Sequence, residues 1–218
     1  MISYMAMLAD PKTYLAPLTE ELTKPWPKNR VVNIVSHGHS VPAGYFKTPV
    51  VDSFHAYPHL LHKALKERFP HAVLNVIVTA IGGEESESGA KRFTQEVLCH
   101  RPDLLLLDYG LNDRRIGLER AATAGTQMIQ AAQKRSIKLI LCTPTLDNGD
   151  LTELRKHAAQ VRELAQKHEI GLADSFARWE RAIADGTPRE ALLSQSNHPN
   201  EAGHRLVVEE LLRWFPGV

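Results

Sequence analysis

Four short polar segments of the chain carry the residue types that acyl-transfer chemistry uses. A serine hydroxyl becomes a nucleophile when a neighbouring imidazole takes its proton, and preset N–H donors can then hold the negative charge that develops. The segments span residues 36–44, 80–84, 108–113 and 196–204, and they contain Ser40, the pair Gly82–Gly83, Asn112 and His198. Each segment alone is equally typical of a turn or a helix cap, so only their combination points to chemistry.

The first three segments each follow a short apolar run that is typical of a buried strand. Strands are predicted over 31–35, 72–78, 103–107, 137–141 and 170–173, and helices over 54–69, 86–98, 115–134, 151–168 and 201–214. Nearly continuous apolar strands that alternate with helices indicate a parallel sheet covered on both faces. We therefore predict a flavodoxin-like α/β three-layer sandwich with a central parallel sheet of about five strands. Residues 1–30 are predicted to form a helix and an arm packed on this core.

The polar segments should meet at one edge of that sheet. In an open parallel sheet, ligands bind in the crevice beyond the carboxyl ends of the strands. The segments that contain Ser40, Gly83 and Asn112 each follow one of the first three predicted strands. The sequence therefore predicts that these three residues lie close together.

Composition narrows the classes of partner. The 218 residues include 26 Lys plus Arg and 25 Asp plus Glu, a net charge of +1, which gives no field for attracting nucleic acid or an anionic membrane. No run approaches the roughly 18 apolar residues that a membrane span needs, so we expect no membrane partner. Residues 1–10 lack a basic segment followed by a long apolar one, from which we expect a cytoplasmic protein.

Taken together, the four segments resemble the sequence blocks of the SGNH hydrolase superfamily, the GDSL-type esterases and lipases. The resemblance covers about residues 31 to 215 and implies a single SGNH-hydrolase-like catalytic domain over 31–218. It implies that Ser40 is the nucleophile and His198 the catalytic base. It further implies an oxyanion hole made by the backbone N–H groups of Ser40 and Gly83 and the side-chain amide of Asn112.

The activity implied by this resemblance is a serine-dependent carboxylic-ester hydrolase that works through an acyl-enzyme. The expected substrate is a small ester with a short acyl chain, such as an O-acetyl group on a carbohydrate, and no metal or organic cofactor is expected. Acyl transfer to an acceptor other than water, and an arylesterase or thioesterase activity, stay open. The main alternative is an inactive binding module that holds an acetylated glycan or a partner.

Two positions depart from the family pattern. His39 precedes Ser40 where the family has an aspartate, and Gln195 stands three residues before His198 where the family has the aspartate of the triad. A neutral amide stabilises an imidazolium less than a carboxylate does. Three explanations stay open: a Ser–His dyad oriented by Gln195 or a main-chain carbonyl, a carboxylate supplied by Asp185 or Glu84, or a catalytically inactive relative.

Other residues near these segments have structural interpretations that we prefer to functional ones. His37, His39 and His198 could suggest zinc, but no cysteine or carboxylate spacing supports it, so loop-bracing hydrogen bonds are expected. A packing or capping role is expected for His204, and a loop-fixing role for Asp113. Tyr45 and Phe46 could line the substrate pocket, and Arg114 and Arg115 could contact a polar group of the substrate, but packing is expected of the aromatic residues and no special role of the arginines.

Overall fold

The computed structural model describes residues 8–216, and the chain forms a five-stranded parallel sheet with the strand order β2-β1-β3-β4-β5. The strands of this sheet are β1 (Val31–Gly38), β2 (Val73–Val78), β3 (Leu104–Asp108), β4 (Lys138–Cys142) and β5 (Gly171–Ala173). Every neighbouring pair in the sheet is parallel. The predicted α/β class and the central parallel sheet of five strands are confirmed.

Helices cover both faces of the sheet. They are α1 (Ala16–Thr23), α2 (Ser40–Ala43), α3 (Tyr57–Arg68), α4 (Ser86–Arg92), α5 (Leu118–Gln133), α6 (Thr152–Lys167), α7 (Ser175–Ala184) and α8 (Glu201–Leu212). Helices α1, α3, α7 and α8 pack on one face, while α4 and α5 pack on the other and α6 contributes to both cores. No helix among residues 8–216 is both long enough and apolar enough to cross a bilayer.

The leucine run of β3 shows how the sheet builds two cores. Successive side chains of a strand point to opposite faces. Leu104 and Leu106 accordingly join the core under α3 and α8, whereas Leu105 and Leu107 join the core under α5. Because both faces are buried, the run is apolar without alternation, which is the pattern expected of a central parallel strand.

The N-terminal arm packs on the α3 and α8 side of the sheet. Leu15, Leu18 and Leu22 on or beside α1 are buried in that core. The Tyr14 hydroxyl accepts a hydrogen bond from the backbone N–H of Leu139, at 3.1 Å. Residues 1–7 of the predicted arm lie outside the described residues.

Four local features differ from the sequence-based expectations. Helix α7 was not predicted, and it begins where the Asp174 carboxylate accepts a hydrogen bond from the N–H of Ala177. Helix α2 interrupts the loop expected after the first strand. The helix predicted over 86–98 changes to a wider π-helical turn at Phe93–Val97. In addition, β6 (Leu193–Gln195) and β7 (His198–Pro199) form a small antiparallel pair.

Candidate active site

Ser40 is the first residue of α2, directly beyond the carboxyl end of β1. The neighbouring strands β1 and β3 lie very close together here: a Cβ on Gly38 would lie only 2.3 Å from the carbonyl oxygen of Asp108. Only glycine permits this approach. Ser40 is 5% exposed and its N–H makes no hydrogen bond to another of the described residues. The turn therefore presents a hydroxyl and an unpaired N–H at the edge of the sheet.

His198 reaches this serine from the small β6–β7 pair near the end of the chain. Its Nε2 lies 3.1 Å from Ser40 Oγ, and its Nδ1 lies 2.9 Å from the carbonyl oxygen of Phe46. A carbonyl can only accept a hydrogen bond, so it holds the proton on Nδ1 and leaves a lone pair on Nε2. That tautomer is the one in which Nε2 can accept the serine proton.

None of the three side chains considered as supports for His198 contacts it within residues 8–216. The Gln195 side chain bonds to Thr48 instead: Oε1 accepts from the Thr48 N–H at 2.8 Å, and Nε2 donates to Thr48 Oγ1 at 3.0 Å. Glu84 pairs with Arg92, and Asp185 ends α7 with no ion pair to this histidine. Of the alternatives left open by the sequence, the geometry matches the dyad supported by a main-chain carbonyl.

The segment after β2 runs alongside β1 as far as its carboxyl end. The N–H of Thr79 donates to the carbonyl of Ser36 at 2.9 Å, and that of Ile81 donates to Gly38 at 3.0 Å. Gly83 follows with a φ of 78°, in the left-handed region that favours glycine. Its N–H makes no hydrogen bond to another described residue. The Gly83 N–H is thus free to serve as a donor.

Asn112 is tied to the same segment. Its Nδ2 donates to the carbonyl oxygen of Glu84 at 2.9 Å, which leaves the second Nδ2 hydrogen for another acceptor. The neighbouring Asp113 carboxylate accepts a hydrogen bond from the N–H of Ser86 at 2.8 Å, and burial raises the pKa of Asp113 to about 6. The exposed Arg115 guanidinium also donates to the carbonyl of Gly83. These contacts fix the segment over 83–86 against the end of β3.

The Glu84 carboxylate is held in a network of hydrogen bonds by Arg92 and Tyr109, and His37 contacts Tyr109 in turn. Arg92 donates to both carboxylate oxygens of Glu84, at 2.8 and 2.5 Å, and the Tyr109 hydroxyl donates to one of them at 2.9 Å. His37 Nε2 lies 2.9 Å from the same hydroxyl, and burial lowers the pKa of His37 to about 4. His37 is therefore a neutral bracing group.

We predict that this network contributes strongly to stability. The side chains of Glu84 and Arg92 are only 7% and 13% exposed, so Glu84→Gln removes the buried counter-ion of Arg92 and leaves it only the exposed Glu96, at 3.1 Å. The expected loss is about 3 kcal/mol in the free energy of unfolding, measured by urea denaturation. The control is Glu87→Gln, whose pair with Arg120 has side chains 32% and 58% exposed and is screened by solvent, so this variant should lose far less stability. Equal losses for the two variants would contradict this prediction.

His39 replaces the family's aspartate with a different set of contacts. Its Nδ1 accepts a hydrogen bond from the N–H of Val41 at 3.2 Å, which caps α2. Its Nε2 faces Asp108 Oδ1 at 3.4 Å, and both side chains are buried. A carboxylate is thus still present beside the turn that carries Ser40, but β3 supplies it.

Several further residues take structural roles. His204 is fully buried, and Tyr57 donates its N–H to His204 Nδ1 at 3.3 Å. The Phe46 ring stacks on the His204 ring, with centroids 5.4 Å apart, whereas the Tyr45 ring lies 5.9 Å from the ring of His198. Arg114 forms an ion pair with Asp147 at 2.8 Å. Within residues 8–216, no group of three His, Cys, Asp or Glu side chains could hold a metal ion.

Burial sets the protonation behaviour of His198. It lowers the pKa of the imidazole, while the Phe46 carbonyl opposes this shift by stabilising the charged form. A general base must be neutral to accept a proton, so activity falls as His198 becomes protonated. We therefore predict that kcat/KM falls in acid with a midpoint below about pH 6.5, the pKa of an unperturbed histidine. Ester hydrolysis followed by acid release across the acidic range measures it, and a midpoint above that value would contradict it.

The sequence comparison with protein families agrees with this geometry. The model of the GDSL-like lipase/acylhydrolase family matches residues 37–206, which include Ser40, Gly83, Asn112 and His198. The chain belongs to this family. The predicted SGNH resemblance and the predicted enzyme class, a GDSL-type carboxylic-ester hydrolase, are confirmed.

Individual relatives are distant in sequence. The chain is similar to an acetylxylan esterase from Geobacillus stearothermophilus, with a TM-score of 0.75 and 17% identity over 86% of this chain and 95% of that one. A curated relative from Bacillus subtilis, an uncharacterized lipoprotein named YqeF, is 24% identical over 173 residues, 62% of this chain and 71% of the relative. Because that relative is named a lipoprotein, the cytoplasmic location expected above stays a prediction.

Proposed function

We propose that this protein hydrolyses small short-acyl esters, specifically O-acetyl groups on carbohydrates, through an acyl-enzyme on Ser40. The observation that carries the mechanism is the 3.1 Å contact between His198 Nε2 and Ser40 Oγ, since it joins a hydroxyl to a base in the correct tautomer. The likeness to a solved acetylxylan esterase supports the choice of acetyl group and carbohydrate.

The first half of the reaction forms the acyl-enzyme. Ser40 Oγ bonds to the ester carbonyl carbon while its proton passes to His198 Nε2. The carbonyl oxygen becomes an oxyanion, for which the N–H groups of Ser40 and Gly83 and the Asn112 amide are the proposed donors. The tetrahedral intermediate then breaks the bond to the alcohol oxygen, which leaves with the proton from His198.

The second half restores the enzyme. A water molecule loses a proton to His198 Nε2 and attacks the acyl carbon, and the same three donors hold the second oxyanion. Breakage of the bond to Ser40 Oγ releases the carboxylic acid, and His198 returns its proton to the serine. Throughout, the Nδ1–H of His198 keeps its hydrogen bond to the Phe46 carbonyl, which stabilises the imidazolium.

The substrate assignment is tested with a panel of esters. We expect acetate release from acetylated xylooligosaccharides, and p-nitrophenyl acetate should be cleaved with a higher kcat/KM than p-nitrophenyl esters of longer acids. A mass increase of one acetyl group on Ser40 after rapid acid quenching would show the intermediate. Faster cleavage of the long-chain esters would overturn the acetyl assignment. Binding of the acetylated sugars without acetate release would instead support the inactive binding module.

A further inference from the structure

Gln195 occupies the position of the missing aspartate but does not contact the histidine that it would support. Its carboxamide forms a pair of hydrogen bonds with Thr48, accepting from the N–H at 2.8 Å and donating to Oγ1 at 3.0 Å. Thr48 lies two residues after Phe46, whose carbonyl oxygen receives the Nδ1–H of His198. The amide therefore holds the turn that carries the acceptor of the catalytic base.

The rest of Phe46 is fixed independently of Gln195. Its N–H donates to the carbonyl of Val50 at 3.1 Å, and its ring stacks on the buried ring of His204. These two contacts hold the N–H and the side chain of the residue. The peptide that contains its carbonyl leads toward Thr48, so the Gln195 amide fixes the turn on that side.

Two contacts join the β6–β7 pair to the 46–50 turn. Gln195 and His198 are paired across the two strands β6 and β7, so the amide and the imidazole lie on one rigid unit. From that unit, the imidazole contacts the Phe46 carbonyl and the amide contacts Thr48. Any displacement of the 46–50 turn relative to the β6–β7 pair therefore changes the distance from Nδ1 to its acceptor.

We propose that Gln195 is a positioning residue, which acts through Thr48 to keep the Phe46 carbonyl on His198 Nδ1. The chain thus replaces a carboxylate that contacts the imidazole directly with an amide that holds a main-chain oxygen in the same place. The effect on turnover rests on the proposed function, whereas the effect on the imidazole itself does not. Both effects can be measured separately.

The decisive variant is Gln195→Leu, which keeps the approximate side-chain size and removes both hydrogen bonds. A carbonyl displaced by about 1 Å no longer fixes the imidazole, so kcat should fall between about ten- and a hundredfold with KM changed less than about twofold. Loss of the acceptor also lowers the pKa of His198, since the carbonyl stabilises the charged ring. The acid limb of kcat/KM should accordingly move to lower pH.

Conservative variants separate positioning from general damage. Gln195→Glu keeps both contacts, because one oxygen accepts from the Thr48 N–H and the other from the Thr48 hydroxyl, which turns round to donate. We expect it to retain kcat. Thr48→Val keeps the backbone hydrogen bond and loses the hydroxyl, so its kcat should lie between those of Gln195→Leu and the native protein. Gln130→Leu, on an exposed position of α5, is the matched control and should change nothing.

The direct test is an NMR titration of the His198 ring, with the native chain compared with Gln195→Leu. A lower His198 pKa in the variant, with Gln195→Glu not lowered, supports the proposal whether or not any ester is turned over. An unchanged His198 pKa overturns it, even where kcat falls. If Gln195→Leu does not fold, the same comparison with Thr48→Val decides. Absence of hydrolysis by the native chain would refute the proposed function alone.

Discussion

Ser40→Ala is expected to lower kcat for acetate ester hydrolysis by at least about 10⁴-fold. The substitution removes the hydroxyl that lies 3.1 Å from His198 Nε2, so no covalent intermediate can form at this position. The N–H of residue 40 and the two other proposed oxyanion donors remain, and they should leave a small residual rate. Substrate binding should be largely retained, because the variant loses a single buried oxygen.

The measurement for Ser40→Ala is steady-state hydrolysis together with labelling by a sulfonyl fluoride, a reagent that modifies activated serines. Labelling should disappear in the variant. Ser53→Ala is the matched control, since its hydroxyl makes only a long contact of 3.5 Å with the carbonyl of Ala43. Retained turnover in Ser40→Ala would place the nucleophile elsewhere and refute the mechanism.

Asn112→Ala is expected to lower kcat by between about 10² and 10³-fold, with a much smaller change in KM. The side-chain amide is the only proposed oxyanion donor that a substitution can remove without altering the backbone. Its contribution grows as negative charge develops on the carbonyl oxygen, so the loss falls on kcat rather than on binding. The variant also loses the hydrogen bond to the Glu84 carbonyl, which loosens the segment that carries Gly83.

Two further variants test whether Asn112 acts as a donor. Asn112→Asp has the same shape but places an acceptor near the oxyanion, so its kcat should fall at least as far as that of Asn112→Ala. Asn75→Ala removes a hydrogen bond of 3.0 Å to Asn33, between strands β1 and β2, and should leave kcat unchanged. A kcat within about threefold of the native value for Asn112→Ala would remove this residue from the oxyanion hole.

The sheet, and the approach of Ser40 and His198 to each other at its edge, could both be predicted from the sequence. The apolar run at 104–107 predicted a strand buried on both faces, and the structure places β3 at the centre of the sheet. Ser40 and His198 are 158 residues apart, yet their atoms lie in hydrogen-bond contact. The resemblance of the four polar segments to the SGNH sequence blocks made this pairing predictable.

Helix α7 could have been predicted from signals that the sequence contains. Asp174 is a good N-cap, and the buried residues Phe176, Trp179 and Ala182 recur at three-residue intervals. The segment is only ten residues long and lies between a three-residue strand and a region rich in turns. The helical spacing of buried residues therefore extends over only a few turns, but it can be recognised.

No pattern in the sequence marks the hydrogen-bond acceptor of His198 Nδ1. A main-chain carbonyl exists at every position, so no residue type marks Phe46 as its source. The sequence showed only that the usual carboxylate is absent, with Gln195 in its place. Which carbonyl turns toward the imidazole depends on the shape of the 46–50 turn, and that shape follows from tertiary contacts with Gln195 and His204.

The main-chain acceptor also changes which mutations can disable the base. An aspartate can be deleted by one codon change, whereas an oxygen of the backbone survives every substitution of its own residue. Saturation mutagenesis at position 46 would thus be tolerated far better than at a triad aspartate, apart from residues too large or too polar to rest on His204. Insertions and deletions in the turn would be the damaging changes, since they move the oxygen rather than remove it.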